Sequence, residues 1–320
     1  MRYSCLICIF LLVFLNACSE KNAVEKEIVG IPMEVTVNRF DRVFDQASPA
    51  DLPQLKREYP QFFPAQFPDS LWISRFQDTL QQQLHDAVND VFTENSVLED
   101  ELTDLFKHIK YYFPQFEKPG IYTTTSDVDY KNRVILSDSL LIVALDCYLG
   151  ADHPFYDGIP LYVGKNLTKS QLPVDVAATY SRQLVVRPSQ RTFLAQMIYF
   201  GKELYLKDLW LPEASDARKI GYTEEEMVWA EDNEIDVWRY FIENEILYST
   251  DVKLLPRFIN PAPFSKFYLE IDNESPGMIG RYIGWQIVRA YMENNNISLV
   301  ELMQADPQRI FNNSKYKPNK

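Results

Sequence analysis

The sequence predicts an α+β fold that is predominantly helical with a small central β-sheet. Two stretches, Asp69 to about Phe92 and Asn95 to Phe113, repeat apolar residues at helical spacing. Three short runs of β-branched and apolar residues, Ile121 to Thr125, Arg133 to Leu136 and Leu141 to Leu145, are divided by turn residues. Beyond Pro188 the chain reads as helical to its end.

In chain order, the first element is a segment to be removed. Arg2 precedes eleven consecutive apolar residues, Cys5 to Leu15, with no acidic residue, which is the pattern of a secretory signal. Eleven residues are too few to span a bilayer, which needs roughly 20 in a helix, and Asn16, Ser19, Glu20 and Lys21 follow directly. Leu15-Asn16-Ala17-Cys18 resembles the lipobox of bacterial lipoproteins. That resemblance implies cleavage before Cys18, acylation of its thiol, and a mature chain of 303 residues held on a membrane by lipid. Residues 18–29 then form a lipidated tether, and a single globular domain is expected over 30–320.

Ile31 to Val37 alternates as a strand does. Pro49, Pro53, Pro60, Pro64 and Pro68 frame short helices such as Asp51 to Tyr59. Asp69 and Ser70 can cap a helix burying Leu71, Phe76, Leu80, Leu84 and Val88. After the β runs, helices are expected over Ser189 to about Leu209, Thr223 to about Leu247, and Pro276 to about Asn294, each opened by a capping residue or proline.

Composition excludes several functions. Without Arg2 the chain carries 31 basic and 45 acidic residues, net −14, which argues against nucleic acid and against a surface that hugs anionic headgroups. Once Cys5 and Cys8 leave and Cys18 is acylated, Cys147 is the one remaining thiol, so no disulfide framework is expected. His85, His108 and His153 are far apart, and neither His85 nor His108 has a second histidine or cysteine at helical ligand spacing. Both read as core-edge imidazoles. No cofactor is expected.

Two later helices resemble a zincin-type metallopeptidase, in which a His-Glu-x-x-His helix supplies two ligands and a base, and a glutamate on a later helix the third ligand. On that resemblance Ala195 and Tyr199 stand at the histidine positions, Gln196 at the base, and Glu231 at the third ligand, so a degenerate, zinc-free site is implied. On the apolar stripe that runs through Val228, Ile235, Trp238 and Ile242, Glu231 is expected to point inward and bond a tyrosine or arginine. Gly280 and Gly284 lie four apart on one helix face, where their cost of about 1 kcal/mol each is offset if another helix approaches closely.

Glu224-Glu225-Glu226, and Asp232-Asn233-Glu234 with Asp236, lack the loop spacing of a calcium site and read as a helix start and a solvated face. Asp69-Ser70-Leu71, Asp78-Thr79-Leu80 and Asp138-Ser139-Leu140 resemble a short O-glycosylation sequon of exported Bacteroidetes proteins, but an Asp-Ser pair that opens a helix is the commoner meaning of so short a motif, and glycosylation is the minor expectation.

Taken with the lipobox, the stretches KHIKYYFPQFEKPGIYT, ALDCYLGADHPFYDGIPLYV, FLAQMIYFGKELYLKDLW and SPGMIGRYIGWQIVRAYM resemble the gliding motility lipoprotein B (GldB) family of Bacteroidetes over nearly the whole mature chain. The resemblance implies a non-enzymatic envelope component, accessory or scaffold rather than motor, with protein partners in the gliding machinery and the type IX secretion system that shares members with it. Ser19 after the cysteine favours the outer membrane. The competing expectation is an envelope hydrolase with a site at Asp152, His153 and Tyr156.

Overall fold

A computed structural model describes residues 23–137, 139–270 and 272–319. Cys18, the signal segment, the first part of the tether and Asp138 of the third sequon lie outside the described residues. The fold is α+β and predominantly helical, with one four-stranded mixed sheet.

The described chain opens with helix α1 (residues 23–29), followed by β1 (Val37–Asn38), α2 (Phe40–Asp45) and α3 (Leu52–Glu58). Next come α4 (Asp69–Phe76), α5 (Thr79–Val91) and α6 (Ser96–Tyr112), then β2 (Gly120–Thr124), β3 (Val134–Leu136) and β4 (Leu140–Ala144). The rest is helical: α7 (Leu161–Gly164), α8 (Leu172–Leu184), α9 (Phe193–Trp210), α10 (Asp216–Ile220), α11 (Glu224–Asp232), α12 (Glu234–Glu243), α13 (Leu254–Phe258), α14 (Ile279–Asn294), α15 (Leu299–Gln304) and α16 (Pro307–Ser314).

The three expected β runs form strands within a residue of their expected bounds. Strand order is β1-β2-β4-β3, with β1, β2 and β4 parallel and β3 antiparallel to β4. The first strand is shorter than the alternation of Ile31 to Val37 suggested. Val35 and Val37 are buried as a strand face requires, but their amides donate to Thr103 Oγ1 at 3.1 Å and Glu99 Oε1 at 2.8 Å on α6. Side chains of a helix thus close this sheet edge, which would otherwise present free N–H groups.

Two expected long helices are broken. The Asp69 to Phe92 stretch divides at Gln77 and Asp78, because Asp78 accepts from the Leu80 amide and caps a new helix. The phase jump leaves Leu80 56% exposed, and Leu71 lies at the surface too, so the expected buried stripe holds only from Leu84 to Val88 on α5. The Thr223 to Leu247 stretch breaks at Asn233 between α11 and α12. Helix α8, unread in the sequence, has Pro173 in its first turn and buries Leu172, Val176, Ala177 and Tyr180.

The centre of the helical part is the crossing of α9 and α14. A Cβ added to Gly284 would sit 1.9 Å from the Met197 carbonyl oxygen, and one on Gly201 would sit 2.3 Å from the Gly284 carbonyl oxygen. Gly280 is less tight, with Phe258 O at 2.9 Å. Backbone-to-backbone contact at Gly201 and Gly284 therefore sets the separation of the two helices, and Trp285, Tyr282 and Met197 fill the space around it.

Helix α1 is docked rather than loose: Ile28 is buried, Lys107 Nζ donates to Val29 O at 3.0 Å, and His108 Nε2 lies 3.4 Å from Glu25 Oε2. The expected tether is thus helical and attached to α6 from residue 23 onward. The C-terminal tail is also tied down, since Tyr316 and Asn319 donate to Glu234. A second, smaller apolar cluster gathers Phe40, Phe44, Leu52, Leu55 and Phe63 beside the sheet.

Candidate functional site

The zincin-like positions lie on α9. Ala195 is fully buried and Tyr199 nearly so, and both line a cavity of about 280 Å³ with Arg187, Lys202 and Asp306. Burial pushes Lys202 down to about 8, with Asp306 opposing, but its ammonium donates to the carbonyls of Met303 at 3.2 Å and Ala305 at 2.8 Å. Gln196 is half-buried. Nothing in this group offers an imidazole, and its one amine holds two backbone carbonyls in place.

Glu231 is not where the sequence pattern put it. It is exposed, and Val228 and Ile242 on the supposed stripe are exposed as well. The break at Asn233 rotates the following residues, so the buried carboxylate bonded by tyrosine is Glu234, 1% exposed, which accepts from Tyr282 at 3.0 Å, Tyr316 at 2.6 Å and Asn319 at 3.1 Å. Three donors satisfy a charge that burial would otherwise penalise. His85 and His108 are fully buried rather than at the core edge.

Asp152, His153 and Tyr156 do come together on the wall of an open depression with Lys165 and Glu226. The Tyr156 hydroxyl is occupied: it donates to Asp146 O and accepts from the Leu149 amide, both at 2.8 Å. His153 Nδ1 accepts from the Phe155 amide at 3.3 Å and its ring stacks on Phe155. Imidazole and phenol here hold a turn. Among the described residues, no three His, Cys, Asp or Glu side chains gather to hold a metal ion, and no helix is long and apolar enough to cross a membrane.

A different site stands at the carboxyl ends of the parallel strands, where open α/β sheets place their ligands. Strand β1 runs into Phe40 and Asp41, β2 into Thr125 and Ser126, and β4 into Asp146. Asp146 is fully buried. Its carboxylate accepts from the amides of Ser126 at 2.9 Å and Val128 at 2.7 Å, while burial pushes its pKa up against these bonds. The loop so held is strained: Asp127 and Val128 have φ of 56° and 59°, and a β-branched residue rarely adopts that region. Cys147 beside it is buried, and burial pushes its thiol up to about 12, so it is inert.

Asp41 is equally enclosed. Arg39 donates to it through Nε at 2.9 Å and Nη2 at 2.6 Å, and Thr123 Oγ1 donates to it from β2. Arg39 also donates to Phe92 O at 2.9 Å, so this ion pair joins α2, β2 and the end of α5. Above it opens a pocket of about 350 Å³, walled by Phe40, Phe44, Phe62, Phe67, Leu71 and Trp72, with Arg75, His85 and Thr124 to Ser126 as its polar part. Arg75 is engaged with Asp127 at 2.6 Å. The size falls within the range of small-ligand pockets, about 300 to 1,000 Å³. Sequence reasoning missed this site because its residues come from four separate segments. The one local sign was the density of aromatic residues between Pro60 and Phe76.

A family model described as gliding motility protein GldB matches residues 21–318, nearly the whole described chain. No curated protein and no solved structure matches the chain.

Proposed function

The chain belongs to the gliding motility protein GldB family, and from that premise we propose that it is a non-enzymatic, lipid-anchored accessory or scaffold component of the gliding machinery, with type IX secretion as a second context. The observation that carries the motility part of this reading is the family match over residues 21–318. The lipobox-like Leu15-Asn16-Ala17-Cys18 supports the anchor, and Ser19 supports retention at the outer membrane.

The position of α1 adds to the anchor reading. From Cys18 to residue 23 is five residues, a reach of roughly 17 Å when extended. Because α1 is docked on α6, a lipid on Cys18 holds the body close to the bilayer with α6 on the membrane-proximal side. The reading of α9 as the remnant of a metallopeptidase helix is part of the same proposal for Ala195, Gln196 and Tyr199; the exposed Glu231 drops out of it.

The test is deletion of the gene in its host, with complementation by the wild-type chain, by Cys18→Ala and by His153→Ala. Wild type and His153→Ala should restore colony spreading, while Cys18→Ala should leave the protein in the soluble fraction and restore little. Normal spreading of the deletion strain refutes the motility role. Failure of His153→Ala at wild-type protein levels favours the hydrolase, and stoichiometric zinc in the purified protein overturns the non-enzymatic reading.

A further inference from the structure

We infer that the cavity between α9 and the turn joining α15 to α16 binds a small monocarboxylate, with the carboxylate held between Arg187 and Lys202 and a short apolar tail against Ala195 and Ile198.

The argument starts from a buried charge without a countercharge. Lys202 on α9 is 3% exposed, and a lysine is seldom so enclosed unless a carboxylate faces it. Among the described residues its ammonium forms no ion pair; it donates to the carbonyls of Met303 at 3.2 Å and Ala305 at 2.8 Å, which take two of its three N–H bonds. Those carbonyls end α15 and carry only partial negative charge. Burial therefore pushes Lys202 down to about 8, with Asp306 opposing from a distance.

No neighbour supplies what is missing. Asp306 lines the cavity but is committed elsewhere: Oδ1 accepts from the amides of Gln308 at 2.9 Å and Arg309 at 3.3 Å to open α16, and Oδ2 accepts from Gln190 Nε2 at 2.8 Å. Glu203, behind Tyr199, is pushed up by burial, which favours its neutral form. Arg187 at the mouth is exposed and forms no ion pair among the described residues, and the Tyr199 hydroxyl between it and Glu203 steadies its position. The cavity wall thus sets two cations, Arg187 and Lys202, against one carboxylate, Asp306, in a chain whose overall charge is strongly negative.

That balance selects the ligand's charge. A monoanion brings the wall to neutrality, whereas dianionic phosphate overshoots it and meets Asp306. A carboxylate also matches the fork of Arg187 while accepting the third N–H of Lys202. Ala195 and Ile198, both fully buried on α9, offer the rest of the ligand an apolar wall. The carboxylate can belong to a free short-chain acid or to the C-terminus of a polypeptide. The inference goes beyond the scaffold reading and needs neither the lipid nor the motility role.

The experiment titrates the full mature protein, in mild detergent at neutral pH and fixed ionic strength, with isovalerate by calorimetry. Isovalerate should saturate one site, and its neutral isostere isovaleramide and inorganic phosphate should bind about tenfold more weakly or worse. Arg187→Met, at an exposed position, should lower isovalerate affinity about tenfold with the melting temperature unchanged, and Arg191→Met, a neighbouring exposed arginine outside the cavity, should leave it unchanged. Lys202→Met should lose both binding and stability, because it also releases the end of α15. Acetyl-Gly-Leu binding more tightly than isovalerate supports the inference and assigns the carboxylate to a chain terminus; the reverse order supports it and assigns a free acid. Absence of saturation, equal binding of the amide or of phosphate, or an affinity unmoved by Arg187→Met overturns it.

Discussion

Replacing Gly284 by alanine should loosen the seam on which the helical body is built. The new Cβ would lie 1.9 Å from Met197 O and 2.4 Å from Met197 C, whereas ordinary contact begins near 3.4 Å, so α9 and α14 must separate locally by about 1.5 Å. Both contacting atoms are backbone and cannot rotate away. Overpacking of this kind costs about 1–3 kcal/mol and at times more, and a gap of 0.5–1 Å already forfeits a quarter to a half of each dispersion contact along the seam. Better helix propensity returns about 1 kcal/mol. With backbone on both sides of the contact the cost lies at or above the top of that range, about 3–4 kcal/mol, so the net expectation is a loss of about 2–3 kcal/mol. With an unfolding entropy of about 2.1 cal/mol/K per residue over a chain of this length, each kcal/mol shifts Tm by about 1.6 °C, so scanning calorimetry should show a fall of about 3–5 °C. Gly201→Ala meets Gly284 O at 2.3 Å and should behave alike, and the double variant should cost less than the sum because the two share one contact. Gly30→Ala is the control, since its Cβ would meet nothing closer than Glu27 O at 3.4 Å. If Gly284→Ala melts at or above the wild-type temperature, the close approach does not govern the packing and the reasoning fails.

Glu234→Ala should destabilise by about 1–3 kcal/mol in urea denaturation, because it orphans the buried Tyr282 hydroxyl and frees the half-buried Tyr316 and the exposed Asn319 of the C-terminal tail, whereas Glu231→Ala should leave the midpoint unchanged; the reverse order would restore the continuous-helix reading. His85 has a folded pKa below its ordinary 6.5, through burial and against the attraction of Asp45, Asp41 and Asp86, so the unfolded chain takes the proton first. The stability tied to its neutral form is present above about pH 6.5 and falls as pH drops from there through the folded value, so wild type should lose unfolding free energy relative to His85→Leu over that window; a constant difference from pH 7.5 to 5 argues against it. Asp146→Asn presents an NH₂ group to one of the amides of Ser126 and Val128, so it should cost about 1–3 kcal/mol and speed hydrogen exchange in residues 126–130, with unchanged exchange there counting against the carboxylate as the clamp of that loop.

Local chemistry alone determined much of this chain. The β-branched runs become β2, β3 and β4, and the helix ends at Glu58, Tyr112 and Asn294 fall within a residue of where propensity and proline put them, because these depend on neighbours along the chain. Family membership was also legible, in extended aromatic blocks that no fold was needed to read. What depends on phase or on distant segments was decided only in three dimensions. A one-residue break at Asn233 exchanges Glu231 for Glu234 as the buried carboxylate, since each residue of a helix turns the next by about 100°. Gly280 and Gly284 were visible as a pair on one face, but Gly201, which completes the crossing from α9, has meaning only once the partner backbone lies against it. The pocket is the furthest from the sequence. Phe40, Trp72, His85 and Thr125 are scattered over 86 residues, and they meet because a parallel sheet gathers the carboxyl ends of its strands on one side.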